Sequence, residues 1–262
     1  MKDYSRKHVV VFGSSSGFGK AVCLKLLYEG CFVTGLSRRP PDFTGSYDAF
    51  RHLSCDVEDE SALGHVLDEL SKPHIGSGDW PDELSGLVLN AGGPPTGSAS
   101  ELSYKEYRSA YRLVFEWKVQ AVNALLPRLK QAENGRIIFI ESQSLKQPIP
   151  GLVLSNSMRL AVAGFAKTLS REVARTGLTV NIVAPGSHNT PAIKRIIHHK
   201  SNMQEQSEAE VRRQMEDQIP AGRFGSSAEL AAFISWLLSE ESSFITGQTL
   251  SHDGGNISHI FG

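Results

Sequence analysis

A glycine-rich turn near the start of the chain has the residue types that bind a nucleotide. It follows the apolar run 9–12 and reads GSSSGFG, with a helical pattern directly after it. Glycines let the backbone approach a pyrophosphate, and the N-terminus of the next helix favours its negative charge. A purely structural turn would look the same, so the prediction depends on the position between strand and helix. The expected cofactor contacts are Gly13, Ser15, Ser16, Gly17, Phe18 and Gly19.

Two arginines follow the second apolar run, residues 31–36, where dinucleotide folds contact the adenosine ribose. The chain reads Ser37, Arg38 and Arg39 there, with no carboxylate. An acidic residue would bind the 2′-hydroxyl and select NAD, whereas planar guanidinium groups pair with a 2′-phosphate. The sequence therefore predicts NADP(H), although a solvated basic loop is the alternative.

The elements that must position these residues alternate between short apolar runs and segments of helical period. Strands are predicted at residues 9–12, 31–36, 50–54, 84–89, 136–141, 178–183 and 248–250, and helices at 17–29, 103–131, 152–175 and 228–239. Uniformly apolar strands separated by helices predict an α/β fold, a doubly wound Rossmann-type parallel sheet of about seven strands covered on both faces.

No linker or repeat divides residues 1–262, so we expect a single domain. Paired prolines within residues 38–49 disfavour a helix between the second and third strands. The polar stretch 190–220 is too long for a turn and predicts a substrate lid, with a plain surface excursion as the alternative.

Charge and cysteine content limit the partners. Lys and Arg total 27 against 28 Asp and Glu, and this balance gives no basis for binding nucleic acid or an anionic membrane. No run of about 18 apolar residues predicts a membrane span. Three cysteines, an odd number in a chain of this size, are expected to be reduced thiols in a cytoplasmic protein.

Further motifs, in order along the chain, resemble the short-chain dehydrogenase/reductase family from residue 9 to about residue 255. They are Cys55-Asp56-Val57, Asn90-Ala91-Gly92, Gly135-Arg136-Ile137-Ile138 leading to Ser142, Val180-Asn181-Ile182-Val183-Ala184-Pro185-Gly186 with Thr190, and Ile245-Thr246-Gly247-Gln248 with Asp253-Gly254-Gly255.

The resemblance implies positions for the cofactor contacts. Asp56 and Val57 are expected near the adenine, and Asn90, Ala91 and Gly92 near the nicotinamide ribose. Pro185, Gly186 and Thr190 are expected near the nicotinamide. The resemblance also implies a homo-oligomer, a dimer or a tetramer, built on the helices 103–131 and 152–175.

The family's usual catalytic residues are largely replaced. Ser142 matches the serine, but Ser155 and Arg159 stand where the resemblance places a Tyr and a Lys, and Val114 stands at the helical Asn position. This Ser-Asn-x-x-Arg stretch resembles divergent 3-oxoacyl-carrier-protein reductase-like members. An alcohol is far less acidic than a phenol, and Arg stays protonated. Ser142 and Arg159 therefore predict an oxyanion or carboxylate site, and Arg159 could also hold the ribose.

The proton donor is the open question. His188 titrates near neutrality and is our candidate, with a solvent-exposed loop histidine as the alternative. Lys146 is a weaker candidate. Glu141 is expected to point to the opposite face from Ser142, because side chains alternate along a strand. The adjacent His198 and His199 do not share a helix face, so we expect no metal site.

Three functions fit these residues. The favoured one is an NADP-dependent oxidoreductase, a carbonyl reductase or alcohol dehydrogenase with an altered proton pathway, acting on a small-molecule carbonyl or hydroxyl substrate. The alternatives are a non-redox enzyme on the same scaffold (an isomerase, dehydratase or decarboxylase) and a catalytically silent NADP-binding protein.

Overall fold

A computed structural model describes residues 7–73, 80–90 and 92–260. Its strands are β1 His8–Phe12, β2 Phe32–Ser37, β3 Phe50–Ser54, β4 Leu84–Leu89, β5 Arg136–Ile140, β6 Thr179–Pro185, β7 His188–Asn189, β8 Gly225–Ser226 and β9 Thr249–His252. Its α-helices are α1 Gly17–Tyr28, α2 Glu60–Ser71, α3 Tyr104–Tyr111, α4 Trp117–Leu129, α5 Val153–Val173, α6 Pro191–Gln204, α7 Glu208–Asp217 and α8 Ser227–Leu237.

Seven of the strands form one parallel sheet in the order β3-β2-β1-β4-β5-β6-β9. Strands β1, β4, β5 and β6 are buried along their whole length, as the uniformly apolar runs predict for a sheet covered on both faces. The predicted single-domain, doubly wound α/β fold is confirmed.

Two apolar layers cover the sheet. Helices α1 and α8 pack on one face, where Val22 and Ile234 are fully buried. Helices α2, α4 and α5 pack on the other face, where the ring of Trp117 lies 4.9 Å from that of Phe12 in a tilted contact. All strands of the sheet therefore end at one common edge, between these layers.

The segment 103–131 is not the single helix that its periodicity predicts. A single turn of π-helix, Arg112–Glu116, separates α3 from α4 and is called the π-turn below. The indole Nε1 of Trp117 donates to the carbonyl of Leu113 at 2.7 Å across this turn. Such π-bulges shift the helical register by one residue, and here the shift includes Val114, the position at which the resemblance implies an Asn.

Two other expectations concern the connections. Residues 38–49 contain turns and no helix, as the paired prolines predict. The stretch 190–220 contains α6 and α7 around a small apolar core that includes Ile193, Val211 and Phe224. The two-residue strands β7 and β8, which bracket this stretch, were not predicted. Its action as a lid stays a prediction.

Across the described ranges, no helix combines the length and the apolar character that crossing a membrane requires.

Candidate active site

The glycine turn lies where β1 ends and α1 begins, and its shape depends on missing side chains. Gly13 has a φ of +72°, and a Cβ there would lie 2.6 Å from the carbonyl oxygen of Asn90. A Cβ at Gly19 would lie 2.1 Å from the carbonyl oxygen of Gly13. The N-cap residue Ser16 makes no side-chain hydrogen bond to the first turn of α1 in the structure. The uncapped amides and the close backbone approach fit a pyrophosphate.

The beginning of the 190–220 stretch faces this turn. Gly17 has a φ of +55°, and a Cβ there would lie 4.0 Å from the side chain of Thr190. Thr190 caps α6 by accepting from the amide of Ile193 at 3.4 Å. The ring of Phe18 packs edge-on against His188 with centroids 5.1 Å apart. Thr190 therefore lies directly beside the glycine turn.

The two arginines after β2 are exposed beside the same turn. Ser37 connects the two arginines to the glycine turn. Its Oγ lies 3.1 Å from Oγ of Ser14 and donates to the carbonyl of Arg39 at 2.7 Å. The loop backbone is fixed in this way while the guanidinium groups of Arg38 and Arg39 remain exposed. This arrangement suits recognition of a phosphate.

The other predicted cofactor contacts follow the carboxyl ends of neighbouring strands. Asp56 and Val57 follow β3, Asn90 and Gly92 follow β4, and Pro185 and Gly186 are at the end of β6. Ala91 lies outside the described residues. Ligands in open α/β sheets bind along this edge, and the structure places the described residues along it.

Arg159 on α5 is buried, and neighbouring polar groups fix its guanidinium. Its Nε donates to Oγ of Ser155 at 3.0 Å, and its Nη1 donates to Oε2 of Glu141 at 2.8 Å. Oγ of Ser155 in turn lies 3.2 Å from Oγ of Ser144. Within the described chain, Nη2 makes no hydrogen bond, and it would lie 3.6 Å from a Cβ at Gly93. One donor edge of a fixed cation therefore faces the loop after β4.

Glu141 corrects one expectation. Its fully buried carboxylate lies between Arg159 and Lys118, where the ammonium of Lys118 donates to Oε1. The alternation of side chains along β5 holds, since Ile137 and Phe139 point into the α2, α4 and α5 layer and Glu141 continues on that face. The error was to leave Glu141 out of the site on that ground, because Lys118 and Arg159 lie on this same face.

Lys118 is a site residue that the sequence interpretation missed. It follows Val114 by four residues and precedes Val122 by four, so the three share one buried helix face. A charged residue in an apolar helix face is rarely buried without a partner of opposite charge. The position of Lys118 between Val114 and Val122 could therefore have identified it as a member of a buried ion pair. Burial lowers the pKa of Lys118, Glu141 opposes that shift, and Arg159 adds to it.

The cluster of Lys118, Glu141 and Arg159 combines two cations with one anion. When all three groups are charged, a net positive charge lies inside the protein beside the crevice. Charges interact more strongly there than in water, because little solvent screens them. The cluster therefore favours negative charge that develops on a nearby ligand.

His188 does not fit the role of proton donor. The alternative of a solvent-exposed loop histidine is wrong, because the side chain is buried. Its Nδ1 donates to the carbonyl of Gly186 at 3.0 Å, and its Nε2 lies 2.9 Å from Nδ1 of His252. Burial lowers the pKa of His188, which favours the neutral ring, and its Nδ1 proton is already donated to Gly186. These contacts argue against His188 as the proton donor.

Ser142 has a hydroxyl proton available. Its Oγ accepts from the amide of Ser144 at 3.2 Å and caps the short 3₁₀-turn Gln143–Leu145. A hydroxyl that accepts in this way still has its own proton to donate. Through Ser144 and Ser155, Ser142 is connected to Arg159, so the predicted pair Ser142 and Arg159 belongs to one polar network.

We predict that Glu141→Gln destabilises the protein by about 3–5 kcal/mol, since it leaves Lys118 and Arg159 buried without a counter-charge. Urea unfolding measures this loss. The matched control is Glu69→Gln, which removes an exposed ion pair with Arg51 and should cost no more than about 1 kcal/mol. Equal losses in the two variants would contradict the account of a buried, obligatory carboxylate.

The comparisons with known proteins agree with this geometry. The 3-oxoacyl-[acyl-carrier-protein] reductase of Haemophilus influenzae is 28% identical over 95% of this chain and 97% of its own length. The NADPH-dependent reductase BacG of Bacillus subtilis is 26% identical over 98% of this chain and 100% of its own. The crystal structure of YwfH, an NADPH-dependent reductase involved in bacilysin biosynthesis, superposes with a TM-score of 0.87 at 26% identity, covering 98% of this chain and 100% of that one.

A family described as "Enoyl-(Acyl carrier protein) reductase" matches residues 13–256, nearly the whole sheet and both helical layers. That span includes the glycine turn, Asn90, Ser142 and Thr190. The resemblance drawn from the motifs is thereby confirmed, and the chain belongs to this family of short-chain dehydrogenase/reductases.

Proposed function

We propose that the chain is an NADP(H)-dependent oxidoreductase that reduces a small-molecule carbonyl, with Arg159 as the catalytic cation in place of the usual Tyr and Lys. The observation that carries this proposal is the fixed guanidinium. Glu141 and Ser155 orient Arg159, while Nη2 stays available toward the loop after β4.

NADP(H) fits the residues of the crevice. The glycine turn from Gly13 to Gly19 would hold the pyrophosphate, and Arg38 and Arg39 would bind the 2′-phosphate. Asn90 and Thr190 would contact the nicotinamide half. Two similar proteins carry NADPH dependence in their names, which supports the same assignment here. When bound, the cofactor supplies the hydride.

The chain's own residues then stabilise charge at the carbonyl oxygen. Ser142 donates its hydroxyl proton in a hydrogen bond, and Nη2 of Arg159 donates a charge-assisted one. The net positive charge of the cluster of Lys118, Glu141 and Arg159 lowers the energy of the developing alkoxide further. Both donors are held by the protein before the substrate arrives, so little reorganisation is needed.

Proton delivery by a side chain has no part in this proposal. Ser155 accepts from Arg159 and pairs with Ser144, and an alcohol is a weak acid in any case. The proton then comes from solvent. Losing a general acid costs on the order of 10²–10⁴ in rate, so the site suits a substrate whose product anion is already stabilised.

Three further predictions accompany this function. The cytoplasmic location is consistent with three buried, unpaired thiols at Cys23, Cys31 and Cys55. A homo-oligomer would cover Tyr111 and Leu160, apolar side chains exposed on α3 and α5. The segment 190–220 would close over the substrate as a lid.

We predict that Arg38→Ala and Arg39→Ala each weaken NADPH binding by about tenfold or more, because each removes a charge-assisted contact to the 2′-phosphate. Fluorescence titration measures both Kd values, and NADH affinity should change little. Arg171→Ala, at an exposed arginine on α5, is the control. Equal affinity of the unmodified protein for NADPH and NADH would contradict the assignment.

We predict that Arg159→Ala lowers kcat/KM for NADPH-dependent carbonyl reduction by about 10²–10³, the usual cost of removing an oxyanion donor. Ser155→Ala should lose less than about tenfold, because that hydroxyl only orients Arg159. NADPH consumption with a panel of ketones and aldehydes provides the rate. Comparable losses in both variants, or substrate turnover without NADPH consumption, would contradict the proposal.

A further inference from the structure

Lys146 lies beside the catalytic residues but has no role in the reaction as described so far. Ser142 and Lys146 cap the two ends of the same 3₁₀-turn, Gln143–Leu145. The amide of Lys146 donates to the carbonyl of Gln143 at 2.9 Å, which fixes its backbone relative to Ser142. The backbone of Lys146 is therefore held at a fixed position relative to Ser142.

The ammonium of Lys146 is covered but unpaired. Its Nζ has no contact with solvent and no hydrogen-bond partner within residues 7–73, 80–90 and 92–260. Burial lowers the pKa of Lys146, and the carboxylate of Asp253 partly opposes this shift. Leaving such a cation without a partner is costly, because neither water nor protein replaces its hydration.

Asp253 is already engaged elsewhere. Its Oδ1 accepts from the amide of Gly255 at 3.1 Å, and its Oδ2 accepts from the amide of Ile257 at 2.9 Å. These bonds shape the C-terminal turn and leave Asp253 near Lys146 without a hydrogen bond to it. Asp253 thus attracts the ammonium into this position but does not satisfy its three donors.

The turn that carries Lys146 lies beside the expected position of the nicotinamide. The side chain of Gln143 accepts from Nδ2 of Asn256 at 2.8 Å, so the 3₁₀-turn packs against the C-terminal turn. A Cβ at Gly186 would lie 2.8 Å from Cβ of Asp253 and 3.1 Å from Oε1 of Gln143. Gly186 is one of the expected nicotinamide contacts, and Asp253 is also the carboxylate that attracts the ammonium of Lys146.

We propose that the ammonium of Lys146 binds a carboxylate of the substrate, which makes the enzyme selective for an oxo acid over a neutral ketone or aldehyde. This inference rests on the proposed function. Ser142 and Arg159 take the carbonyl oxygen, and Lys146 takes the carboxylate at the other end of the 3₁₀-turn. An ammonium is a point charge that pairs well with a single carboxylate oxygen.

Binding to the complex with oxidised NADP tests this proposal without turnover. Calorimetry with pyruvate, acetoacetate and levulinate, each against its methyl ester, samples three spacings between carbonyl and carboxylate. We expect at least one acid to bind about 30-fold more tightly than its ester, the loss typical of an unpaired buried charge. Lys146→Met should abolish this preference, Lys146→Arg should keep part of it, and Lys130→Met, at an exposed lysine, should leave it unchanged.

The ligand-free protein gives a second readout. Lys146→Met removes an unpaired buried cation, so its melting temperature should rise. A fall would show that the ammonium is already stabilised within the chain and would overturn the proposal. Esters that bind as well as acids, no binding by any acid, or a preference that survives in Lys146→Met would overturn it too.

Failure of the proposed function has a different signature. If acids bind through Lys146 but NADPH is never consumed, the carboxylate site stands and the redox function is wrong. If neutral ketones are reduced as fast as the acids and Lys146→Met changes neither rate, the redox function stands and the carboxylate site is wrong.

Discussion

The carboxylate of Glu141 is buried between two cations, and the arrangement of the catalytic site depends on this contact. A carboxylate out of water must be paired, and here Lys118 and Arg159 share the pairing. The requirement holds Arg159 in one orientation and supplies a reason for Lys118 to be inside the apolar layer. A flexible arginine at the protein surface would have no fixed orientation. Its charge would also interact more weakly with a ligand, because water would solvate and screen it.

The scaffold meets this requirement with three separate elements. The π-turn before α4 shifts the helical register just ahead of Lys118, and Glu141 directly follows β5. Helix α5 presents Arg159, with Ser155 one turn before it. The three charges meet because the strands end at one edge and the helices cross above it. The glycine turn at the same edge then places the nucleotide crevice beside a preformed cation.

The sequence predicts the scaffold much better than it predicts the site. Continuous apolar strands and the residues around Gly13 specify the parallel sheet and the crevice, since both signals are local in the chain. The contact of Glu141 with Lys118 joins residues 23 positions apart, and no periodicity reports it. Strand alternation gives the face on which Glu141 lies, but it does not show that Lys118 and Arg159 reach that face from two separate helices. The burial of His188 depends on His252 from a distant strand, which a loop motif cannot reveal.

In the proposed site Ser155 stands at the expected Tyr position and a permanently charged Arg159 at the expected Lys position, which changes the expected response to pH. The most direct test is kcat for NADPH-dependent reduction, measured between pH 6 and pH 9 with saturating substrate. With Lys118 charged in its ion pair with Glu141, with a guanidinium that stays protonated throughout this range and with a proton that comes from solvent, we expect a flat profile. A kcat that falls about tenfold per pH unit on the alkaline side would reveal a titrating general acid and contradict the central role of Arg159.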